Sequence, residues 1–125
     1  MITYVPVSIG ELLDKLSILE IKTKKITDLN KLKNVIIEYT TLKTISDELK
    51  LSNDVLNLYT KLYDINNELW DIEVAKRRCE KYQKFDDEFI QLARNVYIKN
   101  DNRADIKKLI NILSDSYIVE EKQHT

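Results

Sequence analysis

The chain has 125 residues, with 20 Lys and Arg against 21 Asp and Glu, and a single Gly, Pro, Cys and His. That length suits one domain, 1–125, with a core of its own, while one glycine is too few for the turns of a β-sandwich or the phosphate-cradling loops of nucleotide folds. A hydrophobic share of 43% beside 33% charged residues describes a helical globular protein rather than a disordered chain.

A net charge of -1 gives no general attraction to nucleic acid, so nucleic-acid binding is not expected. No apolar run approaches the ~18–20 residues that span a bilayer, and no N-terminal stretch reads as a signal peptide. A cytoplasmic protein without membrane insertion is therefore expected. Cys79 lacks a second cysteine for a disulfide, and His124 is the penultimate residue, a kind of position that is usually poorly ordered and so a poor place for a ligand or catalytic group. No metal or other cofactor is predicted, because neither Glu-x-x-His pairs nor Cys/His clusters occur.

Residues 1–7, MITYVPV, read as an extended lead-in or short edge strand. Ser8 followed by Glu11 forms a capping box, and Val7 and Leu12 are spaced as a hydrophobic staple. Ile9, Leu12, Leu13, Leu16, Leu19 and Ile26 then recur at helical spacing, while Ile18 and Ile21 project from another side. A helix apolar on two sides belongs in the centre of a bundle or under a second chain. After Thr27-Asp28 a second helix runs to about Leu49. Ser52-Asn53-Asp54 punctuates the chain before a third, the longest, which ends near Tyr82. Phe85-Asp86 opens a fourth helix through Tyr97, and Asn100-Asp101 a fifth through Leu113. The YIV run at 117–119 is placed to pair with residues 2–5. The expected fold is all-α: an antiparallel three-helix core, two shorter C-terminal helices and a minor two-stranded element from the termini.

Polar residues in apolar places mark the candidate site. At about 100° per residue, Glu20 lies about 40° from Leu16, Asn66 about 40° from Leu62, and Glu73 about 20° from Leu62. Similar helix heights put Glu20, Tyr39 and Asn66 in one layer, either a network that fixes register or a pocket for a polar ligand. Farther along the third helix Glu73, Lys76, Arg77 and Glu80 replace the apolar stripe, as a solvated end or as a charged cleft in which Arg77 grips a carboxylate or phosphate. Trp70, Tyr63 and Tyr59 flank this helix and suit helix packing, a ligand cleft or an oligomer interface. Glu68 and Asp71 fall on its far side, in solvent. Glu11–Lys15 and Glu20–Lys24 have the spacing of intrahelical ion pairs. Gly10, in the first turn of a helix, sacrifices helix propensity, which a close approach by another segment or a ligand would explain.

The run VPVSIGELLDKLSILEIK at 5–22, NELWDIE at 67–73, FIQLARNVY at 89–97 with Asn100, Asp101 and Arg103, and VEEK at 119–122 resemble a family, of unknown function, of small bacterial and phage-type proteins. The resemblance spans essentially the whole chain. It implies that Glu11, Asp14, Lys15, Glu20, Lys22, Glu68, Trp70, Glu73, Tyr97, Arg103, Glu120 and Glu121 stand in signature segments. It also implies single small domains, some of which accompany carbohydrate or cell-surface polysaccharide genes.

Residues and resemblance together predict a small helical binding or interaction module that self-associates and holds a polar or anionic small ligand or a partner protein. Its candidate ligand-binding residues are Glu20, Asn66, Glu73, Arg77, Tyr39, Trp70 and Lys22. The alternative is a small helical enzyme acting on a nucleotide, a nucleotide sugar or another polysaccharide-pathway metabolite. Glu11-x-x-Asp14 and Glu68-x-x-Asp71 mimic the paired acidic motifs that hold Mg²⁺ in all-α nucleotide pyrophosphatases.

Overall fold

The computed structural model of the protein describes residues 1–123, so His124 lies outside the described residues. Four helices follow one another: α1 (Ile9–Lys25), α2 (Leu29–Asp47), α3 (Asn53–Lys81) and α4 (Asp87–Leu113). All four start where the sequence predicts, with Asp86 at the N-cap position of α4 but without a side-chain hydrogen bond to its first turn. Ser8, Asp28 and Ser52 accept hydrogen bonds from the backbone N–H groups of Glu11, Lys31 and Val55, satisfying donors that a helix start leaves open.

Two expectations need correction. Asn100 and Asp101 do not cap a fifth helix but lie inside α4, which runs unbroken through them. Their side chains have other partners instead: Asn100 accepts from Arg103 one turn along the same helix, and Asp101 pairs with Lys122 at 2.7 Å. A short polar side chain so engaged no longer competes for its own backbone, and no Gly or Pro interrupts the stretch. The two-stranded element from the termini is also absent among the described residues, where both segments are irregular. The C-terminal segment is held by side chains rather than by a backbone ladder: Ser116 accepts from Ile9 N–H and donates to the Ile118 carbonyl.

Helix α1 is the hub. It packs on α2, α3 and α4, and α3 packs on α4, whereas α2 and α3 do not approach each other closely. This position explains apolar residues on two sides of one helix. Leu12, Leu13 and Leu16 of α1 join Val55, Leu58 and Leu62 of α3 and Ile110 of α4 in the core, and Ile21 is buried as well. At about 1.5 Å per residue, the 29 residues of α3 outrun the 17 of α1 by a wide margin. The α3–α4 hairpin therefore continues past the end of α1, with Val74, Tyr82, Phe85, Ile90 and Tyr97 exposed.

The one glycine is not spent on a turn. Lys50, Gln83 and Asp115 take the left-handed backbone conformation that closes three helix ends, although none is glycine. Gly10 sits instead where α1 meets α4. A Cβ there would lie 2.6 Å from the Lys107 carbonyl oxygen and 2.9 Å from Asn111 Oδ1, so the close approach expected at this position is made by another segment of the same chain.

Candidate functional site

The face of α1 toward α4 carries a buried carboxylate. Asp14 is 1% exposed, and its two oxygens accept from Nε and Nη2 of Arg103 in a bidentate pair. Asn66 of α3 donates from Nδ2 to Asp14 Oδ1 at 2.9 Å and to Ser17 Oγ at 2.7 Å, while Ser17 donates to the Asp14 carbonyl. Lys107 stands 4.0 Å from Asp14 and ion-pairs with Glu11. A carboxylate removed from water needs such compensation, and here one guanidinium and one amide supply it. The hydrogen bond to Asp14, against the cost of burial, holds the Arg103 pKa above its ordinary value. Arg103 uses its remaining nitrogen, Nη1, toward Asn100.

Beside this network a cleft of about 500 Å³ opens between α1, α3 and α4. Its floor is a stripe of α3: Asn66, Leu69, Trp70, Glu73, Val74 and Arg77. Ile18 of α1 and Val96, Asn100 and Arg103 of α4 form the walls. The spacing of the α3 residues is that of one helix face. The cleft exists because α1 stops short of the hairpin, leaving apolar side chains of α3 and α4 with no third helix to cover them. Glu73 is drawn toward Lys76 at 3.5 Å, whereas Arg77 is exposed and has no ion-pair partner among the described residues.

Four of the seven candidate residues, Asn66, Trp70, Glu73 and Arg77, thus line one cavity. Glu20 and Tyr39 do not join them. They line a second, smaller cleft of about 280 Å³ between α1, α2 and α3, together with Lys43 and Tyr59. The single polar layer of Glu20, Tyr39 and Asn66 is therefore divided: Asn66 serves Asp14, and Glu20 accepts a 3.0 Å hydrogen bond from the Tyr59 hydroxyl. Burial, then the charge of Glu20 and this bond, push the Tyr59 phenol well above its ordinary pKa. Lys22 is half-buried near the end of α1 and lines neither cleft.

The residues that sequence reasoning underrated are Asp14, Ser17, Asn100 and Arg103. A signal was present, since Gly10, Asp14, Ser17 and Ile21 fall within about 60° of one another on the helical wheel. Two small residues on an apolar stripe announce close packing, and the carboxylate among them had to be paired.

The acidic pairs that suggested Mg²⁺ are committed to cations. Glu11 pairs with Lys107, Asp14 with Arg103 and Glu68 with Lys99, and Asp71 stands 4.0 Å from Lys25. Neither Glu11–Lys15 nor Glu20–Lys24 closes as an intrahelical ion pair: Lys24 donates to the Tyr63 hydroxyl, and Lys15 is exposed. Among the described residues no group of three or more His, Cys, Asp or Glu side chains is arranged to hold a metal ion. No helix among them is long and apolar enough to cross a membrane.

A family of unknown function, DUF6165, matches residues 3–125. The chain belongs to this family. No curated protein and no solved structure matches it. The DUF6165 match takes in all four helices and the segment that closes back on α1, so both clefts lie within the family's domain. That segment is anchored by Glu120, which accepts from Ser8 Oγ at 2.6 Å and from Asn111 Nδ2 at 2.9 Å. Burial opposes its ionisation, but the hydrogen bonds from Ser8 and Asn111 and the charge of Lys107 outweigh that and lower its pKa. Asn111 in turn accepts from Gly10 N–H at 2.6 Å.

Proposed function

We propose that the protein is a small-molecule binding module whose site is the cleft between α1, α3 and α4. One observation carries this reading: an apolar cavity of about 500 Å³ on which Trp70, Arg77, Asn100 and Arg103 converge, with Arg103 held rigid from behind by a buried carboxylate. Sites for small ligands combine apolar walls with a few fixed polar groups at this scale of volume. Trp70, the only tryptophan, makes the test direct. A library of metabolites and aromatic fragments is titrated against its intrinsic fluorescence. Saturable changes that disappear in Val74→Phe, which fills the cleft without adding a second tryptophan, support the reading, and a flat response across the library removes it.

Self-association is a second reading, favoured by α2, which packs on α1 alone and leaves Leu29, Ile36, Ile37 and Ile45 exposed. Light scattering coupled to size exclusion tests it, and a monomer at high micromolar concentration rejects it.

A further inference from the structure

The cleft has polarity along its length. Asn66 and Arg77 are eleven residues apart on one face of α3, about 16 Å at the rise of an α-helix, and so mark its two ends. At the Asn66 end the charges cancel, because Asp14 occupies one edge of the Arg103 guanidinium. What that end offers is dipolar. Asn66 spends its amide hydrogens on Asp14 and Ser17, which leaves its Oδ1, and the Asn100 amide NH₂ has no partner among the described residues. The middle is apolar, with Leu69, Trp70, Val74 and Val96. At the far end Glu73 is offset by Lys76, and the uncompensated charge is Arg77.

Resting on the reading of this cleft as a ligand site, we infer that the ligand is an elongated organic monoanion: a carboxylate bound by Arg77, an apolar or aromatic body against Trp70, and a neutral hydroxyl at the Asn66–Asn100 end. Guanidinium is the side chain whose fork matches such oxyanions. A hydroxyl suits the opposite end because a charge there would meet groups already neutralised, whereas a neutral dipole can both donate to Asn66 Oδ1 and accept from Asn100.

The indole N–H of Trp70 gives a single side-chain cross-peak in a ¹H–¹⁵N spectrum, which reports occupancy of the cleft for three compounds: 3-(4-hydroxyphenyl)propanoate, its primary amide and 3-phenylpropanoate. The hydroxylated acid should bind about tenfold more tightly than the amide, as one charge-assisted hydrogen bond requires, and more tightly than the acid without a hydroxyl. Arg77→Gln, an exposed position without an ion pair among the described residues, should bring the acid-to-amide ratio to about one and leave the affinity for the amide intact. Asn100→Ala should erase only the preference for the hydroxyl. Equal binding of acid and amide to the unaltered protein overturns the monoanion while the cleft remains a ligand site. No displacement of the cross-peak by any of the three at millimolar concentration overturns both.

Discussion

Asp14 and Glu20 stand six residues apart on α1 and meet different sides of the bundle. Asp14 faces α4, is fully buried, and is held by a bidentate arginine, an asparagine and a more distant lysine. Glu20 faces the gap between α2 and α3, is half-buried, and takes one hydrogen bond from Tyr59. The difference follows from packing. Where α1, α3 and α4 close on one another, a carboxylate survives only if fully paired. Where α2 and α3 stay apart, water can share the work and one phenol suffices.

This contrast is breakable, and the largest effect belongs to Asp14. Asp14→Asn should leave the Arg103 guanidinium without its counterion and cost about 3 kcal/mol in urea unfolding, whereas Asp14→Leu combined with Arg103→Met should cost less than the single change. A single-variant loss below about 1 kcal/mol would falsify the idea that the buried pair is a unit. Gly10→Ala comes next, at about 2 kcal/mol, because the added methyl meets backbone at Lys107 rather than a flexible side chain. A thermal unfolding curve unchanged by that substitution would show that α1 and α4 are not so tightly apposed.

On the other side of α1, Glu20→Gln and Tyr59→Phe should each cost no more than about 1 kcal/mol, as expected for one part-exposed hydrogen bond. The same pair has a spectroscopic signature. Tyr59 should remain a phenol above pH ~10, and Glu20→Gln should lower its titration only in part, because burial is the larger cause of the shift. Complete reversal would mean that the carboxylate alone sets it.

The smallest effect concerns Glu120. Its folded pKa is depressed, so its contribution to stability is fully present above the unfolded value near 4.5 and is lost as pH falls through the lower folded one. Protection of the 116–120 segment from limited proteolysis by an acid protease should decline across that window, and Glu120→Gln should flatten the dependence. A pH profile identical in the variant would remove Glu120 as the anchor.

Local signals were legible in the sequence, and long-range ones were not. Ser8, Asp28 and Ser52 act through backbone groups three residues away, so short-range pattern suffices to find them. Asn100 and Asp101 carry the same capping chemistry, yet Arg103 and Lys122 divert it, and the helix continues. Glu20 was visible because it interrupts the stripe that contains Leu16. Asp14 was hidden because it lies on the second stripe, whose apolar character depends on α4, 89 residues away at Arg103. The candidate residues on α3 came together as one face because helical periodicity alone aligns them. Which of α1's polar groups would face that stripe required the packing angle of three helices, which composition and spacing do not encode.

The contacts at Gly10, Ser8 and Ile9 have a bearing on how the chain is made. Their partners, Asn111, Glu120 and Ser116, are more than 100 residues downstream. Helix α1 thus leaves the ribosome long before the segment that finishes it. Until then its opening turn lacks those donors and acceptors, and the Gly10–Asp14–Ile21 face has no complete α4 to cover it, although α3 is already made. Nascent chains halted before residue 111 should expose that face to chaperones, and release should coincide with the arrival of α4.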